Sequence, residues 1–429
     1  MRVTLLAIGS QGDVQPYVAL ALGLRSAGLQ VKLASYANFQ GFAESRGLDF
    51  FPIFGDYQKV IQGILGGPLG EQLTARSKNP VKVVRALREL NKIMNPVREQ
   101  ALRDSWKAIE DSDFVIHNRV SYACFGRPGD LLPPMCEANI FPFSSTENFP
   151  SYICPSLPEA VSFLNKTSHA VADQLLWQSS RAVVNQWRTA ERGLKPLPFL
   201  GFHRNLDRER RPHLYAFSPA VVPKPRDWPE WVHVTGYWFL DVHQDWVPPQ
   251  ALQDFLDAGT PPIAVGYSSA STEHPEVLTR LVVEAVRKTK QRAILLSGWA
   301  GLGKMELPEF IFCADFIPHS WLFPRCMAAI HHGGAGTLAV ALRAGIPSII
   351  MPVAADQPFW AKRMESLGAS PPPLWPRKAT PDLLAEAITR VSSDMDMRMR
   401  TVQIGRQIAN ESGVEIAVEV LQEHFRRIQ

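Results

Sequence analysis

Solid apolar runs alternate with helically spaced ones along the chain. Residues 2–8, RVTLLAI, read as a buried strand, and the GSQGD that follows has the small and polar residues of a turn. From Val14 the spacing predicts a helix with Tyr17, Leu20, Ala21 and Leu24 on one face, stopped at Gly28. QVKLAS reads as a second strand, NFQGFAESRG as a short helix and LDFFPI as a third strand. Parallel strands need crossover connections, so this alternation predicts right-handed βαβ units. Residues 55–79 hold several glycines and no period, and read as a mobile surface excursion. A long helix is predicted from Val81 to Ile109, broken at Pro96. DFVIHN reads as another strand, and residues 160–192 as helical.

The polar, proline-bearing DVHQDWVPPQ at 241–250 interrupts the pattern, which then starts again. PIAVGY, RAILLS, FIFCADF, CMAAIHH and PSIIMP are strand-like, with EVLTRLVVEAVRKT and two later stretches as helices. The reading is an α/β chain with two similar halves. Residues 1–240 form the first domain, 241–250 a linker, 251–405 the second domain, and 406–429 a C-terminal helix packing back on the first.

Composition narrows the class. A chain of 429 residues exceeds one ordinary core. With 46% hydrophobic and 20% charged residues it is globular, and a net charge of +4 gives no nucleic-acid-binding field. A weakly basic face leaves peripheral contact with an anionic membrane open. RNLDRERRPH, the densest charge cluster, reads as a solvated face. The five cysteines, Cys124, Cys136, Cys154, Cys313 and Cys326, form no CxxC pair and are odd in number. That fits a reducing compartment and argues against a disulfide framework or a zinc site. The N-terminal apolar run is too short for a signal peptide, and no apolar segment reaches the roughly 18 residues of a membrane span. A cytoplasmic protein is expected. The oligomeric state stays open.

The chemistry concentrates in AIHHGGAGTLAVALRAGIPSIIMPVAADQPFW, residues 329–360. A strand runs into a glycine turn and then a helix, whose first turn offers unbonded N–H groups and the positive end of the dipole. Gly333, Gly334 and Gly336 would let an anion approach the backbone, and His331 and His332 on the rim can donate to phosphate oxygens. No Gly-Lys-Ser/Thr follows, so this is no Walker loop. A tight turn with two ordinary histidines is the alternative. A dihistidine metal site would need a third ligand, and none is near in sequence. The next strand end carries Asp356 and Gln357 at a helix start. Either they cap that helix, or they offer acceptors and donors to a polyhydroxylated ligand. Diphosphate at one mouth and hydroxyls at the other describe a nucleotide sugar.

The series HHGGAGT…RAGIPSIIMP…DQPFW resembles the donor-site signature of family-1 glycosyltransferases of GT-B fold. It is most similar to the sterol 3-beta-glucosyltransferase branch and to the bacterial glycopeptide and macrolide glycosyltransferases. GSQGDVQPYVALALGL, FIPHSWLFP and NQWR fit the same branch, so the resemblance spans most of the chain. It implies two Rossmann-like α/β domains facing a central cleft, and inverting transfer of a hexose without an obligatory metal. The donor would be a UDP-sugar, UDP-glucose first, with no further cofactor. The acceptor would be a hydroxyl of a lipophilic molecule such as a sterol, triterpenoid or polyketide/macrolide. By the resemblance, His332, Gly334, Ala335, Gly336 and Thr337, with His331, belong to the diphosphate site. Asp356 and Gln357 hold the sugar, Phe316 and Ile317 present backbone to the base, and Ser269 and Trp299 lie at neighbouring loop tips. The chain departs from relatives at Ser268-Ser269, often Gly-Ser, and at Val340, where many plant relatives carry a ribose-binding Glu. The second departure keeps dTDP-sugars open. An epimerase and a non-catalytic nucleotide-sugar-binding partner remain rivals.

The resemblance also points to GSQGDVQP, where many relatives have a basic His and this chain has Asp13. As catalytic base Asp13 would take the acceptor's proton. It sits where a helix N-cap belongs, and a helix N-terminus would lower its pKa, so a partner or desolvation is needed. His117, ending DFVIH, is the candidate partner. Phe141, Phe143 and Phe149 in NIFPFSSTENFP would wall an apolar acceptor site, or else belong to the core.

Overall fold

The computed structural model describes residues 1–56, 80–121, 132–152, 159–200, 210–240, 246–267, 275–298, 301–303, 305–353 and 355–428. The expected excursion at 57–79, and most of the charged run at 204–213, fall outside them. The chain divides into two compact units. The first holds Met1–Pro219, Pro223–Phe239 and Ser412–Gln429; the second holds Ala220–Val222 and Leu240–Glu411.

In the first unit β1 (Arg2–Leu6), α1 (Gln11–Ser26), β2 (Gln30–Tyr36), α2 (Gln40–Glu44) and β3 (Asp49–Ile53) follow in order. Then come α3 (Pro80–Ile109), β4 (Phe114–His117), β5 (Met135–Asn139), α4 (Asn165–Arg192), β6 (His213–Tyr215) and β7 (Val232–Val234). Among the described residues these strands form one parallel sheet in the order β3-β2-β1-β4-β5-β6-β7. The order reverses between β1 and β4, which is where doubly wound sheets open a crevice at the strands' carboxyl ends.

Three expectations need correction here. α1 begins at Gln11 rather than Val14, because Ser10 and Asp13 form a capping box that starts the helix a turn earlier. Its buried face is Val14, Tyr17, Val18, Leu20, Ala21 and Leu24. α3 runs unbroken through Pro96. The strands β6 and β7 escaped the sequence reading because each is three residues long and lies among prolines.

In the second unit α5 (Gln250–Asp257), β8 (Ile263–Gly266), α6 (Pro275–Thr289), β9 (Ala293–Leu296), β10 (Ile311–Ala314) and α7 (His319–Leu322) come first. β11 (Ala328–His331), α8 (Ala335–Arg343), β12 (Ser348–Ile350), α9 (Gln357–Ser366), α10 (Pro381–Ser393) and α11 (Met395–Ala409) complete it. This parallel sheet has the order β10-β9-β8-β11-β12. Its reversal lies between β8 and β11. Two apolar clusters cover the faces, one around Val265, Val286, Leu295 and Ile388, the other around Ala264, Ile294, Leu322 and Ala341.

The segment 406–429 is not one helix. α11 continues to Ala409, and after a break α12 (Gly413–Ile428) begins in the first unit. α12 lies so close to α1 that a Cβ on Gly23 would stand 2.5 Å from Val414 Cγ1. The Phe425 ring meets Phe114 edge-on at 4.8 Å. Of the expected linker, 241–245 fall outside the described residues and Gln250 already starts α5.

Helices α8 and α11 pack through Gly405, where a Cβ would lie 2.5 Å from the Leu342 carbonyl oxygen. In an exposed helix Gly→Ala gains about 1 kcal/mol of propensity. Here Gly405→Ala should instead destabilise by about 1–3 kcal/mol through overpacking against backbone. Urea unfolding of the variant checks the sign.

Candidate active site

β11 pairs with β8 on one side and β12 on the other, and both its last residue and the histidine after it are buried: His331 is 1% exposed and His332 4%. His331 Nδ1 accepts from the Gly333 N–H at 3.0 Å, which leaves the ring proton on Nε2. That Nε2, and Nδ1 of His332, are buried with no hydrogen-bond partner among the described residues. Burial, helped by the neighbouring histidines, depresses the His331 pKa to about 3; burial and His319 take His332 to about 4. Both rings are therefore neutral at pH 7.

The turn admits only glycine. Gly333 has φ +90°, and a Cβ there would meet Ile350 Cγ2 at 2.7 Å. A Cβ on Gly334 would meet His332 Nε2 at 2.5 Å, so the imidazole lies against bare backbone. Gly334 is the N-cap of α8, without a side-chain cap. The first bond within the helix runs from Leu338 N to Gly334 O at 3.0 Å. The N–H groups of Ala335, Gly336 and Thr337 thus belong to the orphan donors of the first turn.

The second mouth adjoins the first. A Cβ on Gly333 would be 3.5 Å from Gln357 O and 3.7 Å from Gln357 Cβ. Ala355, with φ +57°, occupies the left-handed region before α9, a strained conformation for a residue with a side chain. Asp356 is at the N-cap position, but its side chain makes no cap hydrogen bond; it accepts the Trp360 indole N–H at 2.8 Å. Side-chain capping therefore does not account for Asp356. Gln357 Oε1 accepts the Val353 N–H at 2.7 Å. Phe316 is 68% exposed while Ile317 is buried in the core, so Ile317 could contribute backbone only. Ser269 and Trp299 lie outside the described residues. Among those described, no group of three or more His, Cys, Asp or Glu is placed to hold a metal ion.

In the first unit Asp13 is in the first turn of α1 and Ser10, not Asp13, is the N-cap. One carboxylate oxygen, Oδ2, accepts from Ser10 N at 2.7 Å and Ser10 Oγ at 2.8 Å. The expected depression of its pKa is reversed. Burial raises it, and the two Ser10 bonds only partly oppose this. Among the described residues Asp13 bonds to Ser10 and His117 to the Asn118 carbonyl, with no hydrogen bond between the two. The His117 ring is buried, with Nδ1 3.1 Å from the Asn118 carbonyl, and burial, opposed by Glu137, depresses its pKa to about 4. Register places His117 beside the end of β1, the strand that leads through residues 7–10 into α1, since Leu6 of β1 pairs with His117 of β4.

The expected aromatic wall splits. Phe141 is a core residue, 4% exposed, edge-on to Phe143 at 5.2 Å and Tyr152 at 5.5 Å. Phe143 and Phe149 are only partly buried. Phe149 stands edge-on to His169 at 6.1 Å and Trp228 at 6.3 Å.

Sequence reasoning passed over the buried ionic group beside this wall. Arg119 Nε donates to Glu137 Oε1 at 2.8 Å, and its Nη1 to Asp173 Oδ1 of α4 at 2.8 Å. The guanidinium lies 5.2 Å from the Phe143 ring centre. Burial alone would raise the Glu137 carboxyl, but Arg119 and the adjacent His213 hold it well below the usual range. The signal was present as a Glu and an Asn inside the apolar strand MCEAN, and as HNR ending FVIHNR.

Residues 3–109 match the glycosyltransferase family 28 N-terminal domain, and residues 290–422 the C-terminal domain of erythromycin biosynthesis protein CIII-like proteins. A sterol 3-beta-glucosyltransferase of Arabidopsis thaliana is 33% identical over 430 residues, covering 99% of this chain and 66% of that protein. One from Cryptococcus neoformans var. neoformans serotype D is 34% identical over 446 residues, covering 98% of this chain and 27% of that protein. The chain thus spans just under two thirds of the plant relative and about a quarter of the fungal one. The kitacinnamycin glycotransferase shares the fold with a TM-score of 0.67 at 17% identity, covering 98% of each chain. The calicheamicin glycosyltransferase CalG4 does so at 0.66 and 19%, covering 100% of this chain and 99% of its own. With two parallel α/β units and these matches along its length, the chain belongs to the GT-B glycosyltransferases and is similar to sterol 3-beta-glucosyltransferases and to erythromycin biosynthesis protein CIII-like proteins.

Proposed function

We propose that the protein transfers a hexose, glucose first, from a UDP-sugar to a hydroxyl of a lipophilic acceptor of the sterol class, with inversion at the sugar carbon. The observation that carries the reading is the mouth of α8. Two neutral, buried imidazoles, each with an unpartnered nitrogen, flank orphan N–H groups at a positive helix end, with Asp356 and Gln357 beside them. Such a set has donors for a diphosphate and mixed partners for sugar hydroxyls. It stabilises the leaving diphosphate as charge develops on it. His332 and the N–H groups of residues 335–337 would hold that diphosphate. Asp356 and Gln357 would hold the sugar.

Asp13 supplies the other half of the chemistry. Its Oδ2 is occupied by Ser10, which fixes the plane of the carboxylate and leaves Oδ1 to receive the acceptor's proton. A carboxylate raised above its ordinary pKa is the better base. The oxygen it deprotonates then attacks the sugar carbon from the side opposite the diphosphate, giving inversion. The names of the plant and fungal relatives favour a sterol acceptor and glucose. One solved relative in fold, SsfS6, is complexed with thymidine diphosphate (TM-score 0.59, 19% identity), and with Val340 in this chain it keeps dTDP-sugars as the second reading.

Thermal unfolding with UDP, dTDP or ADP separates these readings. The cognate diphosphate at a hundredfold excess over its Kd should stabilise by about 2.7 kcal/mol, and His332→Ala should abolish most of that shift. No shift with any nucleotide would sink the donor site. Asp13→Asn should lower kcat by a factor on the order of 10² or more while leaving nucleotide binding intact. In the wild type, kcat/KM should fall on the acid side as Asp13 takes up a proton. That limb should lie above the ordinary carboxylate value of 3.8, since burial raises the group. A pH-independent rate down to that value would remove Asp13 as base.

A further inference from the structure

The β1–β4 ladder ends at the Leu6–His117 pair, yet the chain from Ala7 to Ser10 must hold a fixed path to bring Asp13 into place. On the β2 side, Ala7 N donates to Ala34 O at 3.0 Å and Ser35 Oγ donates to Ala7 O at 2.7 Å. On the β4 side a side chain takes over from the backbone. Asn118 N donates to Leu6 O at 3.3 Å, and Asn118 Nδ2 donates to Ile8 O at 2.7 Å. Ile8 N in turn faces Asn118 Oδ1 at 3.5 Å. The amide thus stands in for one more rung of sheet, meeting both backbone groups of Ile8. Gly9 follows with φ +150°, and a Cβ on it would lie 2.4 Å from Asp13 Oδ2. The carboxylate therefore rests on the backbone next to the residue that Asn118 clamps. Asn118 is itself fixed: its carbonyl accepts from Ser121 N at 3.0 Å and Ser121 Oγ at 2.7 Å, and faces His117 Nδ1. It is 7% exposed, so the clamp is shielded from water.

We propose that Asn118 is a positioning residue for the base, holding the Ile8–Ser10 turn so that the Asp13 carboxylate keeps one oxygen on Ser10 and aims the other at the acceptor hydroxyl. It touches neither substrate. It acts through Gly9 and Ser10 on Asp13. The kinetic part of this rests on Asp13 being the base; the geometric part does not. A displacement near 1 Å at a reacting group can cost about a hundredfold in rate, so a clamp at this distance from the chemistry has consequences out of proportion to its own bond.

Two measurements test it on the full-length protein. The first is the 13C NMR titration of the Asp13 carboxyl, assigned by its loss in Asp13→Asn. In Asn118→Ala the released turn should admit water, and the Asp13 titration should move down toward the ordinary carboxylate range. An unchanged titration in a folded variant overturns the proposal. The second is a double-mutant cycle on transfer from UDP-glucose to a 3β-hydroxysterol. Asn118→Ala alone should lower kcat about tenfold or more with nucleotide affinity unchanged, and should have no further effect in the Asp13→Asn background. Effects that multiply would show that Asn118 acts elsewhere and would overturn it. A titration that moves with no loss of kcat leaves the clamp standing and removes Asp13 as the base. A protein that transfers nothing to the sterol is still decided by the titration.

Discussion

A buried polar nitrogen without a partner costs about 1–3 kcal/mol, and the end of β11 carries two of them. Burial also keeps both rings neutral well below physiological pH. His331 cannot turn outward, because its strand is paired on both sides and buried throughout. The second unit is arranged around this constraint. Gly334 leaves out a side chain that would press on the His332 ring, Gly333 turns the chain against Ile350, α8 begins where its orphan donors can share an anion, and strained Ala355 brings the next helix start alongside. Donors held in place by buried rings and a helix start are preorganised for a ligand that takes them up.

The first unit meets the opposite problem. There a carboxylate is desolvated but not left bare. The capping box that starts α1 gives Asp13 two hydrogen bonds, and burial still outweighs them. The neighbouring Glu137 shows how narrow the balance is. It lies on β5 and is more deeply buried, at 5% exposed, yet Arg119 and His213 drive it in the other direction. Two carboxylates in one unit are thus given different characters by their partners, one fixed as a structural anion and one left able to take up a proton.

Much of this was legible in the residues. The glycine turn with its histidines and the Asp-Gln pair could be placed at two strand ends because the apolar runs before them are unambiguous. Both parallel sheets followed from the same alternation. What the chain did not disclose were features set by three-dimensional neighbours. Asp13 looked like an N-cap because an acidic residue before an apolar period usually is one, and only the geometry of Ser10 moves the helix start. The clamp by Asn118 spans 110 residues of sequence and has no local signature. The three-residue strands β6 and β7 carry too few positions for any period. The three phenylalanines were identical in pattern and differ only in burial.

The return of α12 to the first unit has a consequence for biosynthesis. The first unit is discontinuous: its core is closed by Phe425 and by the contact of Val414 on Gly23, both from residues that leave the ribosome after the second unit. The second unit, apart from Ala220–Val222, is a continuous stretch and is complete before them. A nascent chain must therefore hold the apolar side of α1 near Gly23 uncovered while the whole second unit is made. Domains normally mature in order from the N-terminus, but of these two units the one synthesised earlier is the one completed later. The small residue at position 23 that lets α12 dock also keeps that waiting surface modest.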